Sequence, residues 1–217
     1  MLKTIDIVRE IVFASQPELT ALSRRLLNLS AYAKRIQPEV ERRARKPVQV
    51  GTIVVTLSRL AVDLTEEDPL LPKIRMDSIA VKSSLAEITF NKTPDNKMRA
   101  TKLHNDKNFA HADFLTITYG VSEISIFAPM ALLPSILSAF KPEKPKLCLE
   151  DLAALTVQFG KQYIETPNLY FALLQAIAVR KLNIVELIST FTELTFLVRQ
   201  ADLNELFVIM NSLMRKR

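Results

Sequence analysis

Ser122-Glu123-Ile124-Ser125-Ile126 recurs seventy residues later as Thr192-Glu193-Leu194-Thr195-Phe196, and Leu115-Thr116-Ile117-Thr118 recurs in the same register as Val185-Glu186-Leu187-Ile188. Two matches at one offset mark an internal repeat, so one arrangement of elements must serve twice within 217 residues. Hydrophobic periodicity gives that arrangement. Leu85 to Phe90 reads as a strand, Pro94 to Lys107 as a polar helix, Phe114 to Thr118 and Glu123 to Ala128 as strands, and Met130 to Phe140 as a helix. The order then restarts, with Leu152 to Phe159 a strand, Thr166 capping a helix from Pro167 to Lys181, Ile184 to Ser189 and Glu193 to Val198 strands, and Leu203 to Met214 a helix. Strands joined in this way predict an α+β sandwich in which a sheet covers one layer of helices, the two repeats sharing that sheet.

The first part of the chain has a different character. Its 60 leading residues carry eleven Lys and Arg against five acids, whereas the rest is balanced at eighteen of each. That asymmetry predicts two domains with different partners, the basic one biased toward an anionic surface. Helical periodicity runs through it. Ile5, Val8, Ile11 and Val12 share a face, a second helix reaches about Leu27, and a third carries Tyr32, Ala33, Ile36 and Val40, with Pro38 marking a kink or break. A fourth places Val50, Ile53, Val54, Leu57, Leu60, Ala61 and Leu64 at helical spacing. Thr65 to Pro72, with three acids and two prolines, reads as the linker. Ile74 to Met76 and Ile79 to Val81 then read as a hairpin turning at Asp77-Ser78. The expected domains are therefore 1–72 and 73–217, the latter with repeats over about 79–145 and 146–217.

Several function classes find no support. The longest apolar stretches, such as Tyr170 to Val179, fall short of the roughly 20 residues of a membrane span, and the N-terminus has no signal-like apolar region, so a cytoplasmic protein without a membrane partner is expected. Cys148 cannot form an intrachain disulfide, makes no zinc spacing with His104 and His111, and reads as a small core residue. The histidines read as surface residues, and Glu123 and Glu193, tempting as an acid pair, are better explained by the repeat. The three glycines, Gly51, Gly120 and Gly160, are not clustered, so no phosphate loop or dinucleotide fingerprint is present. No catalytic residue, metal or cofactor is expected.

The second repeat adds a specific likeness. Leu155-Thr156-Val157-Gln158-Phe159, Thr166-Pro167-Asn168 opening a helix, Leu182-Asn183-Ile184, Ile188-Ser189-Thr190, Glu193-Leu194-Thr195-Phe196-Leu197-Val198 and the last helix resemble the ACT domains that regulate aspartate kinases. The first repeat keeps Val121-Ser122-Glu123-Ile124-Ser125-Ile126, so the resemblance covers about Ile79 to Met214. It implies two ferredoxin-like βαββαβ modules that bind a small amino acid at an interface between paired modules. The carried-over residues are Thr166, Pro167, Asn168 and Leu169 at the helix start and Asn183, Ile184 and Val185 across from it. Amides at a helix N-terminus suit a carboxylate, and carbonyls entering the second strand suit an ammonium group. A purely structural role, with Thr166 and Asn168 as caps and Ile184 and Val185 as core, stands beside this reading. Lys161-Gln162-Tyr163-Ile164-Glu165 replaces the family's glycine-bearing turn, implying a closed pocket or a changed ligand.

The basic region resembles a winged helix-turn-helix. Ala31 to Lys46 would be the positioning helix, Pro47-Val48-Gln49-Val50 the turn, Gly51 to Leu64 the recognition helix, and the hairpin after the linker the wing. That likeness implies Gln49, Thr52, Thr56 and Arg59 facing bases, and Arg42, Arg43, Arg45 and Lys46 on phosphates. The apolar fourth helix reads equally as a core or dimer helix. The sequence thus predicts a non-catalytic sensor, a homodimer with an amino-acid effector and DNA as partners. The alternative is a stand-alone regulatory subunit docking on a biosynthetic enzyme such as an aspartate kinase.

Overall fold

The computed structural model describes residues 3–64, 72 and 74–215. The linker expected over Thr65 to Pro72 lies, apart from Pro72, outside them. The chain divides into two compact units, one holding the leading helices and Pro167–Ala172, the other holding the sheet and its remaining helices.

In the helical unit, α1 (Thr4–Phe13), α2 (Gln16–Ser23), α3 (Leu29–Ala44) and α4 (Val50–Asp63) follow the apolar periodicity, except that α1 buries Ile7 with Val8 and Val12 and leaves Ile5 48% exposed. Ile7, Val12, Leu22, Val40, Ile53 and Leu57 form the centre of their common core. Asn28 caps α3 by accepting from the Ala31 amide at 3.0 Å. The helix passes through Pro38 without a break and ends at Arg45, whose φ of 54° is left-handed. The turn into α4 is fixed by α3 side chains. Gln37 donates to the Val48 carbonyl at 2.9 Å, and Glu41 accepts from the Val48 amide at 3.0 Å.

In the sheet unit, the first module contains β1 (Met76–Asn91), α5 (Pro94–His104), α6 (Lys107–Ala110), β2 (Thr116–Tyr119), β3 (Glu123–Pro129) and α7 (Leu133–Ala139). The second contains β4 (Leu147–Phe159), a 3₁₀ turn over Lys161–Glu165, α8 (Leu169–Val179, counted with this unit from Leu173), β5 (Glu186–Ser189), β6 (Glu193–Arg199) and α9 (Leu203–Arg215). These strands form one antiparallel sheet in the order β2-β3-β1-β4-β6-β5. Each module therefore uses the first strand of the other as its fourth strand.

The junction between β1 and β4 has twofold pseudo-symmetry. Leu85 faces Leu152, while the pair Glu87 with Leu149 is mirrored by Lys82 with Ala154, and Ile88 with Cys148 by Val81 with Leu155. Residues of β1 thus map onto β4 at an offset of 67, and the axis passes beside Leu85 and Leu152. Ser84 and Asp151, one residue before each, take φ of 56° and 55° where the register shifts. Such left-handed residues bend a strand and raise its twist. The hydroxyl of Thr89 lies 2.7 Å from that of Ser125, and Thr156 lies 2.7 Å from Thr195. The turns match as well, Gly120 donating to the Glu123 carbonyl and Thr190 to that of Glu193, both at 2.9 Å.

Two apolar layers follow from strand alternation. On one face Ile88, Phe90, Ile124 and Ile126 pack with Leu103 and Ile136 of the first module's helices, and Phe90 stacks on Phe140 at 4.0 Å between ring centroids. On the other, Leu85, Phe127, Leu152, Ala154 and Leu197 form a buried cluster against which Phe114, Leu149, Val185 and Ile188 pack. That second cluster draws on both modules and joins them.

Three expectations need correction. The supposed wing hairpin is the first half of β1, because residues 76–82 pair with β4 instead of turning at Asp77-Ser78. The α8 helix is shorter than Pro167 to Lys181, and Thr166 does not open it: its hydroxyl donates to the Gln162 carbonyl at 3.2 Å. Cys148 is exposed, since β6 pairs with β4 only from Leu152 onward and leaves the start of β4 as an edge.

Leu152, fully buried at the axis, gives the first prediction. Leu152→Ala should cost about 2–5 kcal/mol in urea denaturation, whereas Val121→Ala at an exposed turn should stay within about 0.5 kcal/mol of wild type. Equal effects would contradict a packed junction.

Candidate functional site

The residues expected to hold an amino acid lie on two stretches of the chain, and Pro167, Asn168 and Leu169 of the first are counted with the helical unit. Along the first, β4 ends at Phe159, the 3₁₀ turn follows, and Thr166, Pro167, Asn168 and Leu169 lead into α8. The bulky turn has a structural use: the Tyr163 ring meets Phe159 edge-on at 5.8 Å between centroids, and its hydroxyl accepts from the Arg75 amide at 2.6 Å. Asn168 takes a left-handed φ of 64°, a conformation asparagine tolerates, and its carbonyl accepts from the Ala172 amide at 3.0 Å. Pro167 and Asn168 are exposed, Thr166 is half-buried and Leu169 is buried.

Along the second stretch, Asn183, Ile184 and Val185 enter β5. Asn183 is exposed and Ile184 half-buried. Val185 donates its amide to the Leu197 carbonyl at 2.8 Å and packs on the cluster joining the modules, so its backbone donor is already used by the sheet. Asn168 and Asn183 are the members of the set with exposed polar side chains besides half-buried Thr166.

The basic residues of the helical unit divide in two. Arg42 is paired with Glu39 at 2.6 Å and Arg43 with Glu10, which leaves Arg45 and Lys46 as exposed cations with no described acid partner at the end of α3. Gln49, Thr52 and Arg59 are exposed along α4. Thr56 is not, because it lies on the core face with 8% exposure and its hydroxyl donates to the Thr52 carbonyl at 2.8 Å. The outer face of α4 also carries Val55 and Val62, which are 51% and 73% exposed.

Other chemistry is sparse. Among the described residues no group of three His, Cys, Asp or Glu is placed to hold a metal ion, and no helix is long and apolar enough to cross a membrane. His104 and His111 are exposed. Partial burial, and then the nearby Glu150, push the Cys148 thiol above its ordinary range and keep it protonated, unlike a reactive thiolate. The sequence reading passed over Glu87, which is 5% exposed on β1 and accepts from the Thr89 hydroxyl at 3.3 Å. Burial, and secondarily Glu186 and Glu123, raise its carboxyl above the ordinary range despite that bond. An acid at the centre of the apolar run Leu85 to Phe90 was the available signal.

No protein-family model and no curated protein matches the sequence. Solved structures do match its fold. The regulatory subunit of aspartate kinase from Thermus thermophilus, in ligand-free form, aligns with a TM-score of 0.53 at 11% identity, over 66% of this chain and 100% of that one. The corresponding subunit from Thermus flavus gives 0.52 at 14% identity, over 65% and 99%. Aspartate kinase from Clostridium acetobutylicum gives 0.54 at 14% identity, over 65% of this chain but 35% of that one, so this chain spans about a third of that enzyme. About two-thirds of the chain thus has the ACT-type fold of the regulatory part of aspartate kinases.

Proposed function

We propose that the chain is a non-catalytic regulatory protein whose ACT-type modules bind an amino acid or a similar small metabolite. The observation that carries this reading is the match between its paired modules and regulatory subunits covered over essentially their whole length. The Escherichia coli aspartokinase III structure with a matching fold, at a TM-score of 0.50, 14% identity and 65% of this chain against 34% of that one, is a complex with aspartate and ADP, which supports amino acids as the class to test. Thr166 to Leu169 and Asn183 to Val185 are the proposed contacts. Asn168 and Asn183 are the polar members of that set to test, and Leu169, Ile184 and Val185 the apolar ones. A homodimer in the cytoplasm, with domains over 1–72 and 73–217, completes the proposal.

The helical unit has two proposed roles, and specific features favour one. Docking on a partner enzyme is supported by the exposed Val55 and Val62 on α4 and by the pairing of Arg42 and Arg43 with acids of their own unit. DNA binding would rest on Arg45, Lys46, Gln49, Thr52 and Arg59, with Thr56 serving only the core.

A thermal-shift screen against the twenty amino acids tests the ligand. One amino acid at a hundredfold its dissociation constant should stabilise the protein by about 2.7 kcal/mol, with Asn183→Ala and Asn168→Gly reducing the effect. No shift with any of them would leave the modules an assembly role. Duplex DNA titrations between 50 and 200 mM salt separate the two roles of the helical unit. Docking predicts no salt-steep affinity. A loss of about 10³-fold or more, with a slope lowered by about one in Lys46→Ala, would establish phosphate contacts.

A further inference from the structure

Glu87 breaks the twofold symmetry of the sheet two residues from its axis at Leu85. It faces Phe127 of β3 on one side and Leu149 of β4 on the other, a core member and a packing partner of the cluster that joins the modules. The offset of 67 places Ala154 at the equivalent position, 1% exposed in the same cluster. A carboxyl therefore stands in one module where a methyl group stands in the other. The Thr89 hydroxyl, donating to Glu87 at 3.3 Å, must accept from Ser125, 2.7 Å away. That short relay is the polar support described for Glu87.

The charges on the surrounding elements do not neutralise it. On β3, Glu123 is engaged by Lys146, which precedes β4. On β5 stands Glu186, next to Val185 of the cluster. On β4, Glu150 and Asp151 are exposed, and on β6, Glu193 is exposed while Arg199 donates to the Glu150 carbonyl at 3.1 Å. On β1, Asp77 is exposed and Lys82 pairs with Asp113 at 2.6 Å. On β2, Tyr119 is the ionisable residue.

We propose that Glu87 is a proton-operated latch between the two modules, closed while its carboxyl is neutral and loosened when it ionises. A carboxylate at this depth must draw in water or move outward, since a charge left unpaired among Phe127 and Leu149 is costly. Either response separates Leu85 and Phe127 of one module from Leu197, Val185 and Ile188 of the other. Burial and the two neighbouring acids act in one direction on this group. Its affinity for a proton is higher folded than unfolded, so closure is favoured below the unfolded pKa and is lost as pH rises through the folded one. Because Val185 adjoins Asn183 and Ile184, proton binding would be linked to any ligand held there, although the latch itself does not depend on that reading.

Hydrogen exchange of the full chain between pH 5.5 and 8.5, corrected for intrinsic base catalysis, tests the latch at the Val185 amide and along β6. Protection should fall with rising pH in the wild type, by up to about tenfold per unit, the limit for a single proton. It should stay flat in Glu87→Gln, and the fall should move to higher pH units only if acids are added nearby, so Glu186→Gln should move it lower. Carbon NMR titration of the Glu87 carboxyl provides a direct check in the unmodified protein, with a midpoint above the ordinary carboxylate range expected. Parallel exchange profiles in wild type and Glu87→Gln, or an ordinary midpoint for Glu87, would overturn the proposal.

Discussion

The pairing of β1 with β4 is the constraint on which the sheet unit depends. Neither module is complete without it, because each borrows half of a long strand as its fourth. A strand that is central to two half-sheets must also change its neighbour along its length. β1 pairs with β3 only from Leu85, and β4 with β6 only from Leu152, the two residues that face each other at the axis. Left-handed Ser84 and Asp151 supply the bend at that point. With the strands bent there, the faces not covered by helices contribute to one shared apolar cluster, and burial of about 1.5–3 kcal/mol per large side chain favours holding the modules together.

Much of this was legible from residues. The offset of seventy between Ser122-Glu123-Ile124-Ser125-Ile126 and Thr192-Glu193-Leu194-Thr195-Phe196 identified two equivalent hairpins, and those hairpins do occupy corresponding places. Helical periodicity located α1 to α4. The first halves of β1 and β4 were not legible as strands of this kind. Residues 76–84 alternate weakly and carry Asp77, Lys82 and three serines, so local pattern favoured a hairpin with a turn. Long-range pairing with β4 overrode that preference, as tertiary context does for strands. Cys148 was misplaced for the same reason, since its exposure depends on where β6 stops pairing.

The candidate ligand residues illustrate a different limit. The resemblance pointed to the chain entering β5, yet it could not tell that the Val185 amide is committed to Leu197 or that Thr166 bonds back into its own turn. In the helical unit, Thr56 was expected to face bases, whereas it is buried on the core face of α4 that its apolar neighbours Ile53, Leu57 and Leu60 define. A regulatory role of the kind proposed requires two arrangements whose balance a ligand or proton can shift. Glu87, the one buried acid among the described residues, lies close to the axis of the shared sheet, where the proposed change in its charge would act on both modules together.

The central claim is that the modules form one cooperative unit through this junction. Urea titration followed by the amide NMR signals of Ile126 in β3 and Phe196 in β6 tests it directly. The shared strands predict coincident midpoints and slopes for the two signals. Two separate transitions, with one hairpin retaining its signal while the other is lost, would contradict it.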